Sequence, residues 1–272
     1  MLRSLAVGAW LAGACVIAST HAASADPFAG SARAYLVRID GGTLWAHADT
    51  DRLPPASLTK LMGALVVVDA LGDNEAVEVS ARAAAATGAR IGLVAGDRVS
   101  AGNLLTALLV RSANDACLAL AEKVAGSEER FVRRMNEHAT KLGLRDTHFA
   151  NACGFDAPGH YASARDLARL ADLSLANPRI ARRAAQPSAE FSSRGGKRFR
   201  FDNTNALIGR IPGTVGLKTG HTRRAGHCLI GVVQREGRTV MVVLLDARER
   251  WWDAVAMIDQ AFEHASPPQG RR

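Results

Sequence analysis

Segments with the pattern of β-strands stand at both ends of this 272-residue chain, and helical segments lie between them. Near the amino terminus a Gly-Gly pair at 41–42 separates residues 34–40 from 43–47, and such a pair supplies the positive φ of a hairpin turn. Near the carboxyl terminus, residues 228–234 and 239–245 form another hairpin. Because strands from both ends can join in one antiparallel sheet, this order of elements predicts a single α+β domain.

The middle of the chain has apolar residues at helical spacing. A helical pattern starts at Ser57, and mostly helical segments follow over about 80–185. Ser163 and Asp166 have the form of a capping box that starts one of these helices, and a last helix covers about 251–264. We therefore predict an antiparallel sheet of roughly five strands flanked by helices, with an all-helical subdomain inserted between its strands.

Residues 1–25 have the pattern of a secretory signal peptide. A positively charged start precedes an apolar run over 5–18, and the Ala-Ser-Ala that ends at Ala25 has the small residues that a signal peptidase recognises. The run is shorter than the about 20 residues that span a bilayer. We expect cleavage near Ala25, a single domain over 26–272, and a periplasmic or secreted protein with no stable membrane anchor. A retained anchor and lipidation at Cys15 are the alternatives.

Lysine is scarce in this basic chain, which has 34 lysines and arginines against 26 acidic residues and a formal net charge of +8. Only five of the basic residues are lysines, namely Lys60, Lys123, Lys141, Lys197 and Lys218. A site whose chemistry requires lysine rather than arginine is therefore conspicuous.

Three cysteines follow the predicted signal peptide: Cys117, Cys153 and Cys228. They stand singly, without a Cys-x-x-Cys pair, and an odd number cannot form a complete disulfide framework. We interpret them as buried thiols that pack like small apolar residues, and the sequence leaves open whether any two of them pair. The eight histidines lack the spacing of a metal-ligand set, so we expect no metal and no other cofactor.

The segment Ser57-Leu-Thr-Lys60 places a serine at a helix start and a lysine three positions later, so both side chains face one side. A serine hydroxyl becomes a good nucleophile when a neighbouring base takes its proton. Lysine serves as that base when burial or a second cation, here Lys218, lowers its pKa, whereas arginine stays protonated. Free N–H groups at the helix start suit a developing oxyanion. By itself the motif also fits an N-cap serine and a solvated lysine.

Two further motifs lie on elements that suit the same chemistry. Ser112-Ala-Asn114 falls between two helices, where a hydroxyl could relay a proton to a leaving amine and an amide could hold a substrate amide. Lys218-Thr219-Gly220 lies on a strand edge, where an extended peptide could add a strand and present its carboxylate to the lysine and threonine. Each motif is common by itself, but caps and solvated charges do not explain all three together.

The chain resembles the penicillin-recognising serine peptidases, whose signature is S-x-x-K, S-x-N and K-T-G. More narrowly, it resembles the D-alanyl-D-alanine carboxypeptidases among the low-molecular-mass penicillin-binding proteins, over nearly all of the mature chain. The segments that carry the resemblance are 55–62, 109–115, 147–151, 156–161 and 216–222. The resemblance implies the fold of serine β-lactamases and DD-peptidases. It also implies removal of the terminal D-alanine from peptidoglycan stem pentapeptides, with covalent inhibition by β-lactams.

The resemblance also implies roles for the residues of the first two motifs. Ser57 would be the acylated nucleophile, and Lys60 would be its base. Ser112 would pass the proton to the departing D-alanine. Asn114 would bind the amide on the acyl side of the substrate.

The third motif and two other residues would bind the substrate in the same comparison. Lys218 and Thr219, followed by Gly220, would receive the terminal carboxylate. The backbone N–H groups of the acylated serine and of His221 would form the oxyanion hole. Arg250 stands where relatives carry an arginine that supports carboxylate recognition.

The chain departs from the family pattern in two places. Asn151-Ala-Cys-Gly-Phe155 replaces the commoner Asn-Pro-x-Gly-Leu, and we expect neither the carboxy-terminal β domain nor the amphipathic anchor of many relatives. A D,D-endopeptidase acting on peptidoglycan cross-links remains an alternative. A class A-like β-lactamase is disfavoured, because the second motif is Ser-Ala-Asn rather than Ser-Asp-Asn and no Glu-x-x-Leu-Asn segment occurs.

The basic stretch 194–201 interleaves lysine and arginine with Phe199 and Phe201, as a nucleic-acid surface does. The secretory signal argues against such a partner, and a hairpin with one charged face is the simpler explanation. The positive net charge fits a protein that works beside an anionic polymer of the cell envelope. We therefore expect peptidoglycan stem peptides and β-lactams as partners and no nucleic acid, with the oligomeric state left open.

Overall fold

The computed structural model describes residues 26–265 of the chain. The predicted signal peptide over 1–25, its cleavage near Ala25 and the alternative lipidation at Cys15 lie outside these residues. Within 26–265, no helix combines the length and the apolar composition that crossing a bilayer requires.

Along the described residues, two strands come first, mostly helices follow in the middle, and five strands and a last helix come at the end. The strands are β1 (Ala32–Ile39), β2 (Gly42–His47), β3 (Ala76–Glu78), β4 (Arg98–Ser100), β5 (Ser188–Ser192), β6 (Arg198–Asp202), β7 (Thr214–Thr222), β8 (Gly226–Arg235) and β9 (Arg238–Ala247). The helices are α1 (Lys60–Ala70), α2 (Ala81–Ala84), α3 (Ala101–Val110), α4 (Asn114–Ala125), α5 (Glu128–Lys141), α6 (Ala164–Ala176), α7 (Pro178–Ala184) and α8 (Arg250–Ala265), and a 3-10 helix over Ala56–Thr59 precedes α1.

Five strands form the main antiparallel sheet in the order β2-β1-β9-β8-β7. β1 pairs with β9 from the other end of the chain, with Tyr35 opposite Leu244. β7 lies at the edge and pairs with β8, with Lys218 opposite Ile230. The prediction of an α+β domain with a five-stranded antiparallel sheet is confirmed, and the Lys-Thr-Gly motif lies on an edge strand as its sequence indicates.

The main sheet has an apolar cluster on each face, because side chains alternate along its strands. Ile230 and Val243 belong to the cluster that includes α1, α3 and α4, and the turn before α1 packs there too. Leu229 and Leu244 belong to the cluster that α8 completes on the other face. The serine of the first motif therefore lies on the face of the sheet opposite α8.

The inserted segment over 80–185 is mostly helical, with helices α2 to α7, but the prediction that it is all-helical is wrong, because it also contains the short strand β4, which pairs with β3 in a separate sheet. Ser163 caps α6 as predicted, because its Oγ accepts a hydrogen bond from the N–H of Asp166 at 3.1 Å. The Asp166 carboxylate is used elsewhere: it accepts from the N–H of Asp146 and the hydroxyl of Thr147, both at 2.8 Å.

The helix predicted from Ser57 begins as a tighter turn. The chain is 3-10 helical over Ala56–Thr59 and becomes α-helical at Lys60. Pro55 precedes this turn, and Ala56 has a φ of +48°, so the backbone is in the left-handed region immediately before Ser57. Ser57 is half-buried while its two neighbours are buried.

β5 and β6 form the hairpin that the sequence predicts near residues 190–201, as a two-stranded sheet separate from the main one. Phe199 and Phe201 are buried and pack against Phe191. Because these rings face the protein interior, they are not available to stack on nucleic-acid bases.

Cys117 and Cys153 form a disulfide, so the interpretation of the cysteines as free buried thiols is wrong for this pair. Their Cα atoms are 6.1 Å apart although 36 residues separate them in sequence. Their spacing could not reveal the bond, because α4 and the loop over 151–155 become neighbours only in the folded chain. Cys228 is a buried free thiol, and burial raises its pKa to about 12.

Candidate active site

The three sequence motifs meet between the edge strand β7 and the helical part of the domain. Gly220 lies against the turn that carries Ser57, since a Cβ on Gly220 would be 3.0 Å from Ser57 N. Thr204 connects β7 to the end of α3: its N–H donates to the carbonyl of Val110 at 3.0 Å, and its hydroxyl lies 2.7 Å from Thr219 Oγ1. Residues far apart in sequence are thus held in direct contact.

Lys60 is fully buried, and its amine contacts the serine hydroxyl. Lys60 Nζ donates to Ser57 Oγ at 2.9 Å and to the backbone carbonyl of Cys153 at 2.6 Å. The 3-10 turn brings the two side chains to one side, because residues three apart align in that helix. When neutral, the amine can keep an N–H on the carbonyl and turn its lone pair toward the hydroxyl.

Burial and neighbouring cations lower the pKa values of both lysines in the site. Burial lowers the pKa of Lys60 well below its usual value, and the charge of Lys218 lowers it further. Lys218 is also buried, and burial together with the charge of Arg250 lowers its pKa to about 7. A carboxylate brought beside Lys218 would favour its protonated form.

Asn114 is the first residue of α4, and the loop over 85–97, between α2 and β4, fixes its amide. Its Nδ2 donates to the carbonyl of Thr87, and its N–H donates to the carbonyl of Ala89, both at 2.7 Å. The fully buried Asp115 holds this loop, because its carboxylate accepts from the N–H groups of residues 91–93. The orientation of the Asn114 amide is therefore set by backbone groups.

Ser112 lies at the junction of α3 and α4, buried and with a φ of +61°. Positive φ at a residue other than glycine is uncommon and recurs at functional positions. Val110, at the end of α3, is tied through Thr204 to Thr219, so the junction that carries Ser112 is connected to the strand of the Lys-Thr-Gly motif.

Arg250 starts α8 and contacts the backbone of the motif strand. Its Nη1 donates to the carbonyl of Gly220 at 2.9 Å and to that of Cys228 at 3.1 Å. His221, the next residue on β7, is exposed, and its ring centre lies 4.6 Å from that of His227. Arg250 therefore supports the strand and adds positive charge behind it.

The loop over 151–155 lies beneath Lys60, although it departs from the sequence common in the family. Asn151 organises it: Oδ1 accepts from three successive N–H groups of the loop, at 2.7 to 3.2 Å. Gly154 has a φ of +88°, and a Cβ there would be 2.0 Å from the carbonyl oxygen of Ala56. These contacts hold the Cys153 carbonyl in place without the usual proline.

His160 contacts the 3-10 turn that carries Ser57, and its ring is neutral. Its Nδ1 accepts from the N–H of Ala150 at 2.9 Å, so Nε2 carries the proton and donates to Thr59 Oγ1 at 2.8 Å. Burial lowers the pKa of His160 to about 4, which keeps the ring uncharged near neutral pH.

The sequence identified the motif side chains but missed several groups that position them. The carbonyl of Cys153 has no sequence signal, and Thr204 and His160 belong to no motif of the site. Asp115 did have a sequence signal, because an acidic residue in the first turn of a helix commonly accepts hydrogen bonds from backbone N–H groups. Among residues 26–265, no group of three or more His, Cys, Asp or Glu side chains is placed to hold a metal ion.

Known proteins match the chain over most of its length. A family model for D-alanyl-D-alanine carboxypeptidase matches residues 18–249. The carboxypeptidase DacF of Bacillus subtilis is 35% identical over 233 residues, which cover 83% of this chain and 60% of that protein. DacB2 of Mycobacterium tuberculosis is 33% identical over 243 residues, 86% of this chain and 83% of that relative. This chain therefore spans less than two thirds of the Bacillus relative.

A solved structure also matches the chain over most of its length. The crystal structure of the Streptomyces K15 DD-transpeptidase superposes with a TM-score of 0.81 and 27% identity, over 86% of this chain and 97% of that one. The predicted fold of serine β-lactamases and DD-peptidases is thereby confirmed. With the family match and the mycobacterial relative, these findings show that the chain belongs to the family of D-alanyl-D-alanine carboxypeptidases.

Proposed function

We propose that this protein is a serine-type D-Ala-D-Ala carboxypeptidase that removes the terminal D-alanine from peptidoglycan stem pentapeptides through an acyl-enzyme on Ser57. The observation that carries the proposal is the contact of 2.9 Å between Ser57 Oγ and the buried amine of Lys60. Because burial lowers the pKa of Lys60, its neutral amine, which can take the hydroxyl proton, is more readily formed than that of an exposed lysine.

In the acylation step, Ser57 Oγ attacks the carbonyl carbon of the penultimate D-alanine while Lys60 Nζ takes its proton. The tetrahedral oxyanion would accept hydrogen bonds from the backbone N–H groups of Ser57 and His221. When the intermediate collapses, the C–N bond breaks and Ser112 passes the proton from Lys60 to the amine of the departing D-alanine. The remaining peptide stays on the serine as an ester.

The residues around the edge strand would orient the substrate for this step. A peptide that adds to the edge of β7 would bring its terminal carboxylate to Lys218 and Thr219, whose hydroxyl Thr204 orients. Asn114, fixed by its loop, would bind the amide on the acyl side. Arg250 would add positive charge and hold the Gly220 backbone.

Water would complete the cycle by attacking the ester, with Lys60 again taking the proton. The shortened peptide then leaves and the serine hydroxyl is restored. A β-lactam would acylate the same serine, but its ring nitrogen stays attached to the acyl group. The leaving group therefore does not depart, and the resulting long-lived ester accounts for covalent inhibition.

We further propose that residues 1–25 are the signal peptide of an exported protein and that 26–272 form one domain acting on the cell wall. The apolar run and the small residues up to Ala25 support this location. Sequencing the amino terminus of the protein recovered from the producing cells tests it, because we expect the chain to start at Asp26. A chain that still starts at Met1 would contradict it.

Product analysis tests the catalytic proposal. The wild-type protein should release free D-alanine from a stem pentapeptide, and the Ser57→Ala variant should release none. Cleavage of a cross-linked muropeptide dimer in preference to the pentapeptide would identify an endopeptidase instead. Rapid turnover of a chromogenic cephalosporin would identify a β-lactamase, and absence of any D-alanine release by the wild type would contradict the proposal.

A further inference from the structure

The Cys117–Cys153 disulfide joins two elements that carry groups of the active site. Cys117 lies one turn into α4, the helix that starts with Asn114. Cys153 lies in the loop beneath the site, and its own carbonyl accepts the hydrogen bond from Lys60 Nζ at 2.6 Å. Both cysteines are 2% exposed, so the bond is part of the packed interior below the lysine.

The Cys153 carbonyl has a chemical task that depends on its position. A neutral amine has two N–H donors and one lone pair. With one N–H held on the carbonyl, rotation about the Cε–Nζ bond is restricted and the lone pair can point at Ser57 Oγ, 2.9 Å away. If the carbonyl moved, Lys60 would lose that orientation, and a misplacement of about 1 Å can cost about 100-fold in rate.

Two kinds of contact hold this carbonyl, one polar and one covalent. Asn151 Oδ1 accepts from the N–H of Cys153 at 3.2 Å and from that of Gly154 at 2.7 Å. The disulfide joins the side chain of Cys153 to α4, a largely buried helix. Asp115 on this helix accepts hydrogen bonds from the loop over 91–93. The disulfide is therefore a covalent link between Cys153 and α4, beside the hydrogen bond that the N–H of Ala152 donates to Glu128 Oε1 on α5 at 3.1 Å.

We propose that the Cys117–Cys153 disulfide is a positioning element of catalysis, which keeps the Cys153 carbonyl on Lys60 and so keeps the base aimed at Ser57. This inference rests on the proposed acyl transfer at Ser57. Because Asn151 and Gly154 also restrain the loop, breaking the disulfide slows acylation by about tenfold rather than abolishing it. Substrate binding, which involves β7 and Asn114, changes less than the rate of acylation.

The test compares oxidised and reduced protein. The full chain is expressed and purified under oxidising conditions, and alkylation followed by mass spectrometry counts its thiols. Dithiothreitol adds two electrons and two protons to the bond to give two thiols, and is itself oxidised to its cyclic disulfide. The rate of acylation by a fluorescent penicillin and the KM for a D-Ala-D-Ala peptide are then measured on both forms, per folded molecule.

Reduction should lower the acylation rate about tenfold with KM changed less than twofold, and reoxidation should restore the rate. The Cys117→Ala and Cys153→Ala variants should acylate at the rate of the dithiothreitol-treated wild type, and dithiothreitol should not change their rates. The Cys228→Ala variant keeps the disulfide and should respond to dithiothreitol as the wild type does. Thermal melting of each form gives its folded fraction at the assay temperature, which separates positioning from loss of folded protein.

Equal acylation rates for the oxidised and reduced forms would overturn the inference while leaving the proposed function intact. Detection of free thiols at Cys117 and Cys153 in the purified protein would also overturn it. A protein that no penicillin acylates in either form would instead contradict the proposed function itself, and the two failures are therefore distinguishable.

Discussion

Lys60 and Lys218 are both buried, and burial makes both ammonium groups lose their protons more easily. Arginine could not be used in this way, because its guanidinium stays charged. The sequence identified both residues, since lysine is scarce and each lies in a motif with a serine or threonine at fixed spacing. It could not identify the Cys153 carbonyl, because every residue carries a carbonyl and only the fold decides which one meets the lysine.

The pH dependence of kcat/KM should be bell-shaped. On the acid side the rate should fall as the pH decreases, because protonation of Lys60, whose pKa burial lowers, removes the base. On the alkaline side the rate should fall as the pH rises through about 7, because Lys218 loses the charge that binds the carboxylate. In kcat the alkaline limb should move upward, since a bound carboxylate raises the pKa of Lys218. Steady-state kinetics with a D-Ala-D-Ala peptide measure both limbs.

The Lys218→Arg variant is the control for this assignment. Arginine keeps its charge at alkaline pH, so the alkaline limb of kcat/KM should disappear even if the variant is slower overall. An alkaline limb that stays in place in the variant would show that another group titrates there.

The turn before α1 is the element that positions Ser57, and two glycines approach it closely. Gly154 from the loop below and Gly220 from β7 both lie where a Cβ would meet the backbone of residues 56–57. The sequence predicted the hairpin of β1 and β2 and the strand of the Lys-Thr-Gly motif, because turn residues and alternation are local signals. It did not predict the 3-10 turn, since tertiary packing on these two glycines imposes that geometry.

The Gly154→Ala variant should lose both stability and acylation rate. The positive φ costs about 1–2 kcal/mol for alanine, and the overlap with the Ala56 carbonyl adds about 1–3 kcal/mol as the loop is pushed away. The matched control is Gly196→Ala, where φ is +84° but no atom lies within 4 Å of the new Cβ. Gly196→Ala should lose only the about 1–2 kcal/mol that the positive φ costs, and it should keep its acylation rate. Urea unfolding and penicillin labelling compare the two, and equal losses in both variants would refute the role of the close contact.

At the scale of the whole molecule, the residues proposed for catalysis and one of the two apolar clusters that stabilise the fold lie on opposite faces of the main sheet. The main sheet carries the candidate active site on one face and the cluster completed by α8 on the other. The order of strands along the sequence was enough to predict this sheet, because both ends of the chain supply its members. The Cys117–Cys153 bond, and the separation of the β5–β6 hairpin from the main sheet, could not be predicted in the same way, since both depend on which distant segments become neighbours.

Met257 lies on α8, fully buried in the cluster on the far face. The Met257→Ala variant should lose about 2–5 kcal/mol of unfolding free energy, because it leaves a cavity in that cluster. Its acylation rate per folded molecule should stay within about twofold of the wild type, since the α8 cluster does not contact Ser57 or Lys60. The exposed Trp252 on the same helix provides the control, and Trp252→Ala should change stability by about 0.5 kcal/mol or less. A large loss of acylation rate in folded Met257→Ala would contradict this separation.

The central claim is that Ser57 is acylated with Lys60 as its base, and intact-protein mass spectrometry after incubation with benzylpenicillin tests it most directly. The wild type should gain the full mass of one penicillin, on the peptide that contains Ser57. The Lys60→Arg variant should form the same adduct about a thousandfold more slowly, because it lacks a base. The Ser57→Ala variant should gain no mass. Labelling that persists in Ser57→Ala, or a wild type that gains none, would contradict the account.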